Sequence, residues 1–130
     1  MALVIDLKPG EKILIGDAVI TNDSQRTRLH IAGDTPIMRE KDIMMESDAF
    51  KTPCSRIYFI VQCMYMARSP KEYQDKYFEQ AKLIQEAAPS CTPLLVQISE
   101  EIMKDRYYRA LKLSKKLIEH EKELLGNATS

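Results

Sequence analysis

The spacing of hydrophobic positions changes period once along the chain. Near the start, Leu3, Ile5 and Leu7 alternate with Val4 and Asp6, the period-two pattern of a half-buried strand whose branched side chains suit a pleated surface. Residues 2–7 are therefore read as a first strand, ended by a turn at Pro9-Gly10. Lys12 to Ile15 gives a second piece, Gly16-Asp17 a tight reversal and Ala18 to Thr21 a third, followed by turn chemistry at Asn22-Asp23-Ser24. From Arg26 to Ala32, the basic Arg26, Arg28 and His30 alternate with Thr27, Leu29 and Ile31, so one face of this strand is basic and the other apolar. After Gly33-Asp34-Thr35-Pro36 a last short strand covers Ile37 to Arg39, and a helical turn begins by Glu40.

Residues 46–53 read as a connector, beyond which the period lengthens to about 3.6. The run from Ser55 to Ala67 is apolar nearly all round, which predicts a central, mostly buried helix. Ser69-Pro70-Lys71-Glu72 offers an N-cap, a proline at the first helical position and a glutamate three after the cap, so a second helix is expected from Pro70 to about Ala88. Thr92-Pro93 announces a third, continuing to Leu125. Leu94, Ile98 and Ile102 share one of its faces, and Ala110, Leu113, Leu117, His120 and Leu124 extend the stripe as a core-facing seam. The expected class is α+β: a small antiparallel β-sheet in residues 1–45, a connector at 46–53 and a three-helix region in 54–130.

Charge narrows the function classes. Lys and Arg together number 19, as do Asp and Glu, so the global basicity of a non-specific nucleic-acid binder is missing. Residues 1 to 50 hold nine acids and six bases, and the remainder ten acids and thirteen bases. RNA recognition by the first half would therefore rest on a few specific contacts. Cys54, Cys63 and Cys91 fit no CxxC or Cys/His ligand spacing, which suits reduced thiols in the cytosol. Charges interrupt every apolar run, so no membrane span is expected and the localisation expected is cytoplasmic.

No catalytic residues, cofactor or metal are expected, because His30 and His120 sit in no ligand pattern and no P-loop, GxGxxG or GxSxG occurs. The arginines are the better candidates, since a guanidinium stacks on bases and forks onto phosphate or guanine edges. Arg39, at the end of the last strand, is the principal expected RNA contact, with Lys8, Arg26, Arg28 and Lys41 beside it in the candidate set. In the helical region Arg106, Tyr107, Tyr108 and Arg109 make an aromatic and basic patch suited to a protein partner.

Leu7-Lys8-Pro9-Gly10-Glu11, Arg39-Glu40-Lys41-Asp42-Ile43-Met44 and Arg56-Ile57-Tyr58-Phe59 with Gln62 and Met64-Tyr65 resemble the FlbT family of bacterial flagellin regulators from Met1 to about Leu125. The resemblance implies a cytoplasmic regulator of translation and mRNA stability, a repressor in some members and an activator in others. It would act on the 5′ untranslated region of flagellin mRNA together with a small partner, FlaF, and couple flagellin synthesis to assembly of the flagellum. The alternative is an adaptor that binds a FlaF-like regulator or flagellin without touching RNA.

The first 45 residues also resemble, more distantly, the CsrA regulator, through Gly10-Glu11, Ile15-Gly16-Asp17, Val19 and Arg39-Glu40. That resemblance implies an intertwined homodimer and an RNA-binding role for Arg39 and Lys8. Asp6 and Leu7 stand where that family has a threonine and an arginine, Met38 replaces its histidine, and an extra residue separates Arg39 from Ile43.

Overall fold

A computed structural model of the chain describes residues 2–67 and 70–129. It comprises two compact units, Met1–Ile43 and Met44–Ser130, and the class is α+β as expected. In the first unit β1 (Ala2–Leu7) pairs antiparallel with β4 (Thr27–Ala32), while β2 (Lys12–Ile15) lies between β3 (Ala18–Thr21) and β5 (Ile37–Arg39), also antiparallel. Period-two alternation builds the core directly. Ile5, Leu7 and Ile13 are buried, and Ile15, Leu29, Ile31 and Ile37 pack against them.

Gly16 makes the β2–β3 reversal possible. Its φ of +60° disfavours residues with a Cβ, and an added Cβ would stand 3.0 Å from the Thr35 methyl. Its N–H donates to the Pro36 carbonyl at 2.8 Å, tying the reversal to the approach of β5.

Among its described residues the second unit contains five α-helices: α1 (Glu46–Ala49), α2 (Pro53–Met66), α3 (Gln74–Ala87), α4 (Thr92–Met103) and α5 (Tyr107–Thr129). The stretch read as a connector thus holds a helical turn with a fully buried Ala49. Thr52 caps α2, its Oγ1 accepting from the Ser55 N–H at 3.1 Å with Pro53 at the first helical position. Cys54, Ile57, Tyr58, Val61 and Met64 of α2 are buried, as expected of a central helix. A 3-10 turn over Pro70–Tyr73 leads into α3; the expected cap at Ser69 lies outside the described residues.

The single third helix expected from Thr92 to Leu125 is instead two. After Met103 the Asp105 N–H donates to the Ile102 carbonyl and the Arg106 N–H to the Glu101 carbonyl, with Asp105 at φ +59°. This is a Schellman closure with aspartate where glycine is usual. Nothing in the sequence between Lys104 and Arg106 breaks the 3.6 period, so the stop was invisible there. The seam of α5 is also turned by a residue from the expected one: Ala110, Leu111, Ser114, Leu117 and Glu121 are the buried positions.

Candidate nucleic-acid interface

Leu29 and Ile31 face the core, so Arg28 and His30, the alternate residues of β4, face outward, opposite Asp6 and Val4 of β1 respectively. Across this exposed face the Arg28 Nε donates to the Asp6 carboxylate at 2.9 Å. That hydrogen bond, opposed by some desolvation and aided by the charges of Arg28, Arg26 and Arg39, holds the Asp6 carboxyl below its ordinary value. The same partner raises Arg28. Arg28 thus binds Asp6 directly, while Arg26 and Arg39 act on the same carboxylate through their charge alone. Both members of the ion pair are more than half exposed, so its contribution to stability is small. Its electrostatic effect is that Asp6 offsets one arginine of the cluster.

Arg39 stands opposite Ile13 in the β2–β5 register. Directly opposed side chains of an antiparallel pair share a face, so its half-buried stem lies beside the core while its charge reaches Asp6. Lys8 is exposed in the turn after β1, and Lys41 is exposed in the 3-10 turn Glu40–Asp42 that follows β5. No described contact joins Lys41 to the cluster.

The residue that sequence reasoning passed over is Asn22, taken only as a turn former. Its Nδ2 donates to the carbonyls of Leu7 (3.1 Å), Lys8 (3.0 Å) and Gln25 (2.7 Å), and its Oδ1 accepts from the Thr27 hydroxyl at 3.2 Å. Its main chain also exchanges hydrogen bonds with Gly10 and Glu11. One amide thus fastens the end of β1 to the start of β4 and sets Lys8 beside the segment that carries Arg26. The Asn-Asp-Ser composition signalled a turn and held no sign of this longer reach.

In the helical unit Tyr108 is 49% exposed and Tyr107 half-buried. The Tyr65 and Tyr108 rings lie 5.6 Å apart, and the Lys112 ammonium sits 5.0 Å over the Tyr108 ring. The Tyr107 hydroxyl donates to Asp105 at 3.0 Å, Arg106 approaches Glu101 at 3.9 Å, and Arg109 is exposed. The four residues expected as a partner patch thus sit at the start of α5, with Tyr107 and Arg106 bound back onto the helix break.

Burial raises the thiols of Cys54, Cys63 and Cys91, the condition of inert structural cysteines. Glu121, buried on α5, accepts the Cys54 N–H at 3.1 Å and so closes the first turn of α2. Among the described residues no group of His, Cys, Asp or Glu is arranged to hold a metal ion, and no helix is long and apolar enough to cross a membrane.

Comparison with known proteins agrees with the resemblance read from the motifs. "Probable flagellum biosynthesis repressor protein FlbT" of Rhodopseudomonas palustris is 44% identical, with 97% of this chain and 99% of that protein covered. "Probable flagellum biosynthesis repressor protein FlbT 1" of Bradyrhizobium diazoefficiens is 42% identical, covering 97% and 86%. "Flagellum biosynthesis repressor protein FlbT" of Caulobacter vibrioides is 38% identical, covering 100% and 94%. No solved structure matches the chain. The family model described as flagellar protein FlbT matches residues 3–125, and the chain belongs to the FlbT family.

Proposed function

We propose that this protein regulates flagellin synthesis by binding the 5′ untranslated region of flagellin mRNA, with Arg39, Arg28 and Arg26 as the central contacts and Lys8 and Lys41 at the edge. The observation that carries the reading is the exposed Arg28–Asp6 pair on the β1–β4 face, a carboxylate on which the charges of Arg26 and Arg39 also act. In a unit with more acids than bases, such clustering gives a local rather than global attraction for phosphate and base edges. The flagellar repressor names of the relatives support the regulatory role. Among the described residues β1 pairs only with β4 and β3 only with β2, and these free edges, together with exposed Val19 and Ile20 on β3, support self-association through the sheets.

Gel-shift titration of flagellin leader RNA tests the assignment. Arg39→Ala should lose binding by about 1–3 kcal/mol while staying folded, and Arg39→Lys should recover only part. Full binding by folded Arg39→Ala rejects the central contact.

A second reading, an adaptor for a FlaF-like regulator or flagellin without RNA contact, is favoured by the partial neutralisation of Arg28 and by the tyrosine pair at the start of α5. Charge reversal at Arg106 and Arg109 should then abolish co-purification of FlaF and spare RNA binding.

A further inference from the structure

The outward face of β1–β4 carries a ring as well as charges. His30 is exposed, directly opposite Val4, a residue that is 51% exposed. Such opposed pairs bring Cβ atoms to within about 5 Å. The imidazole and the valine methyls therefore lie side by side on the solvent side of the sheet, a ring beside a small apolar group. The next residue outward on that face of β4, Ala32, carries only a methyl group. No described residue hydrogen-bonds to the His30 ring. Two residues along the strands on the same face stands the Asp6–Arg28 pair, whose carboxylate also feels the charges of Arg26 and Arg39. An apolar, ring-bearing step flanked by guanidinium groups matches the two parts of a single-stranded nucleotide, a flat base and an anionic phosphate.

We infer that His30 and Val4 form a stacking position for one unpaired base of the RNA, next to the arginines that take its phosphates. This deepens the RNA reading and rests on it. A second copy of the chain is the competing occupant of an exposed sheet face, but it would set the arginines of one copy against those of the other unless its Asp6 offset them. The charge pattern favours the nucleotide.

The test uses fluorescently labelled flagellin leader RNA and the full chain, read by anisotropy across a range of salt concentrations. His30→Ala should weaken binding by roughly five- to hundredfold, the range for loss of one base–aromatic stack. The slope of log affinity against log salt should be unchanged, because no phosphate contact is removed. His30→Phe should bind within about twofold of the parent, since a ring is what the stack needs. Circular dichroism establishes folding, which an exposed substitution leaves intact. If His30→Ala binds like the parent while Arg39→Ala is weakened, the stacking position is wrong and the RNA reading survives. If His30→Phe falls as far as His30→Ala, the ring is not what matters and the proposal is also wrong. Loss of a parental dimer in the His30→Ala variant, seen by sedimentation, would assign the face to self-association. If the parent itself fails to bind the leader, the RNA reading falls and this inference with it.

Discussion

If the arginines of the first unit bind RNA as proposed, replacing Asp6 by asparagine should tighten that binding. In the parent the Arg28 Nε is engaged by Asp6 at 2.9 Å, and the carboxylate also lies within reach of the charges of Arg26 and Arg39. Its negative charge repels phosphate and neutralises a guanidinium that could otherwise contact it. Asp6→Asn removes that charge and keeps the shape. Each phosphate newly neutralised on a single strand steepens the fall of log affinity with log salt by about 0.7. If the freed Arg28 makes one such contact, affinity at ~0.1 M salt rises by about fivefold over the parent, relative to equal binding at ~1 M.

Fluorescence anisotropy titrations of leader RNA at several salt concentrations measure both the shift and the slope. Unfolding should hardly change, because an exposed pair contributes little. Arg28→Gln alone should weaken binding, since it leaves the Asp6 charge uncompensated. The double variant Asp6→Asn/Arg28→Gln should fall back towards the parent, which makes the two sites non-additive. The reasoning is refuted if Asp6→Asn binds no tighter than the parent at low salt, or if tightening comes without a steeper slope. Either outcome would mean that Asp6 orients Arg28 rather than suppressing it.

Glu121→Ala removes the acceptor for the buried Cys54 N–H and should lower stability by about 1–3 kcal/mol in urea unfolding; an unchanged midpoint would mean that water replaces the carboxylate there. Asp105→Val should destabilise the α4–α5 closure because a branched residue resists φ +59°. Asp105→Gly should stay within about 1 kcal/mol of the parent, conformational relief offsetting the lost Tyr107 contact, and equal midpoints for the two variants would contradict this account. Burial raises Tyr77 from 10.0 to about 12 and also raises the three thiols. Groups whose folded pKa is raised stabilise fully below the unfolded value and lose that stabilisation as pH climbs through the folded one. The urea midpoint should therefore fall from about pH 9 upward, and Tyr77→Phe should flatten the part above the ordinary tyrosine value, whereas a midpoint level to about pH 12 would be inconsistent with these shifts.

What could be read from the sequence depended on whether the signal was periodic. Alternation at Leu3, Ile5 and Leu7 and again at Arg28, Leu29, His30 and Ile31 placed both strands and assigned their faces, because a strand has only two. It could not say which strands pair. Asp6 and Arg28 are 22 residues apart, and their meeting follows from the β1–β4 register, set by core packing and the Asn22 fastening rather than by local pattern. The α4–α5 break was missed for a related reason: an aspartate in a left-handed conformation has no fixed sequence signature, whereas glycine does.

The polar members of the α5 seam were missed because a hydrophobic stripe search discards them. Ser114 is buried through a local bond, its hydroxyl donating to the Ala110 carbonyl at 2.8 Å, and Glu121 through a partner 67 residues away. The same limit applies to the exposed face of the β1–β4 sheet. An acidic residue is ordinarily counted against nucleic-acid binding, yet Asp6 is bound to Arg28 and feels the charges of Arg26 and Arg39. If the arginines act on RNA, Asp6 lowers their non-specific attraction for phosphate while the base contacts that carry sequence information are spared. The net acidity of the first half and a selective RNA site are then compatible, which no count of charges along the chain could decide.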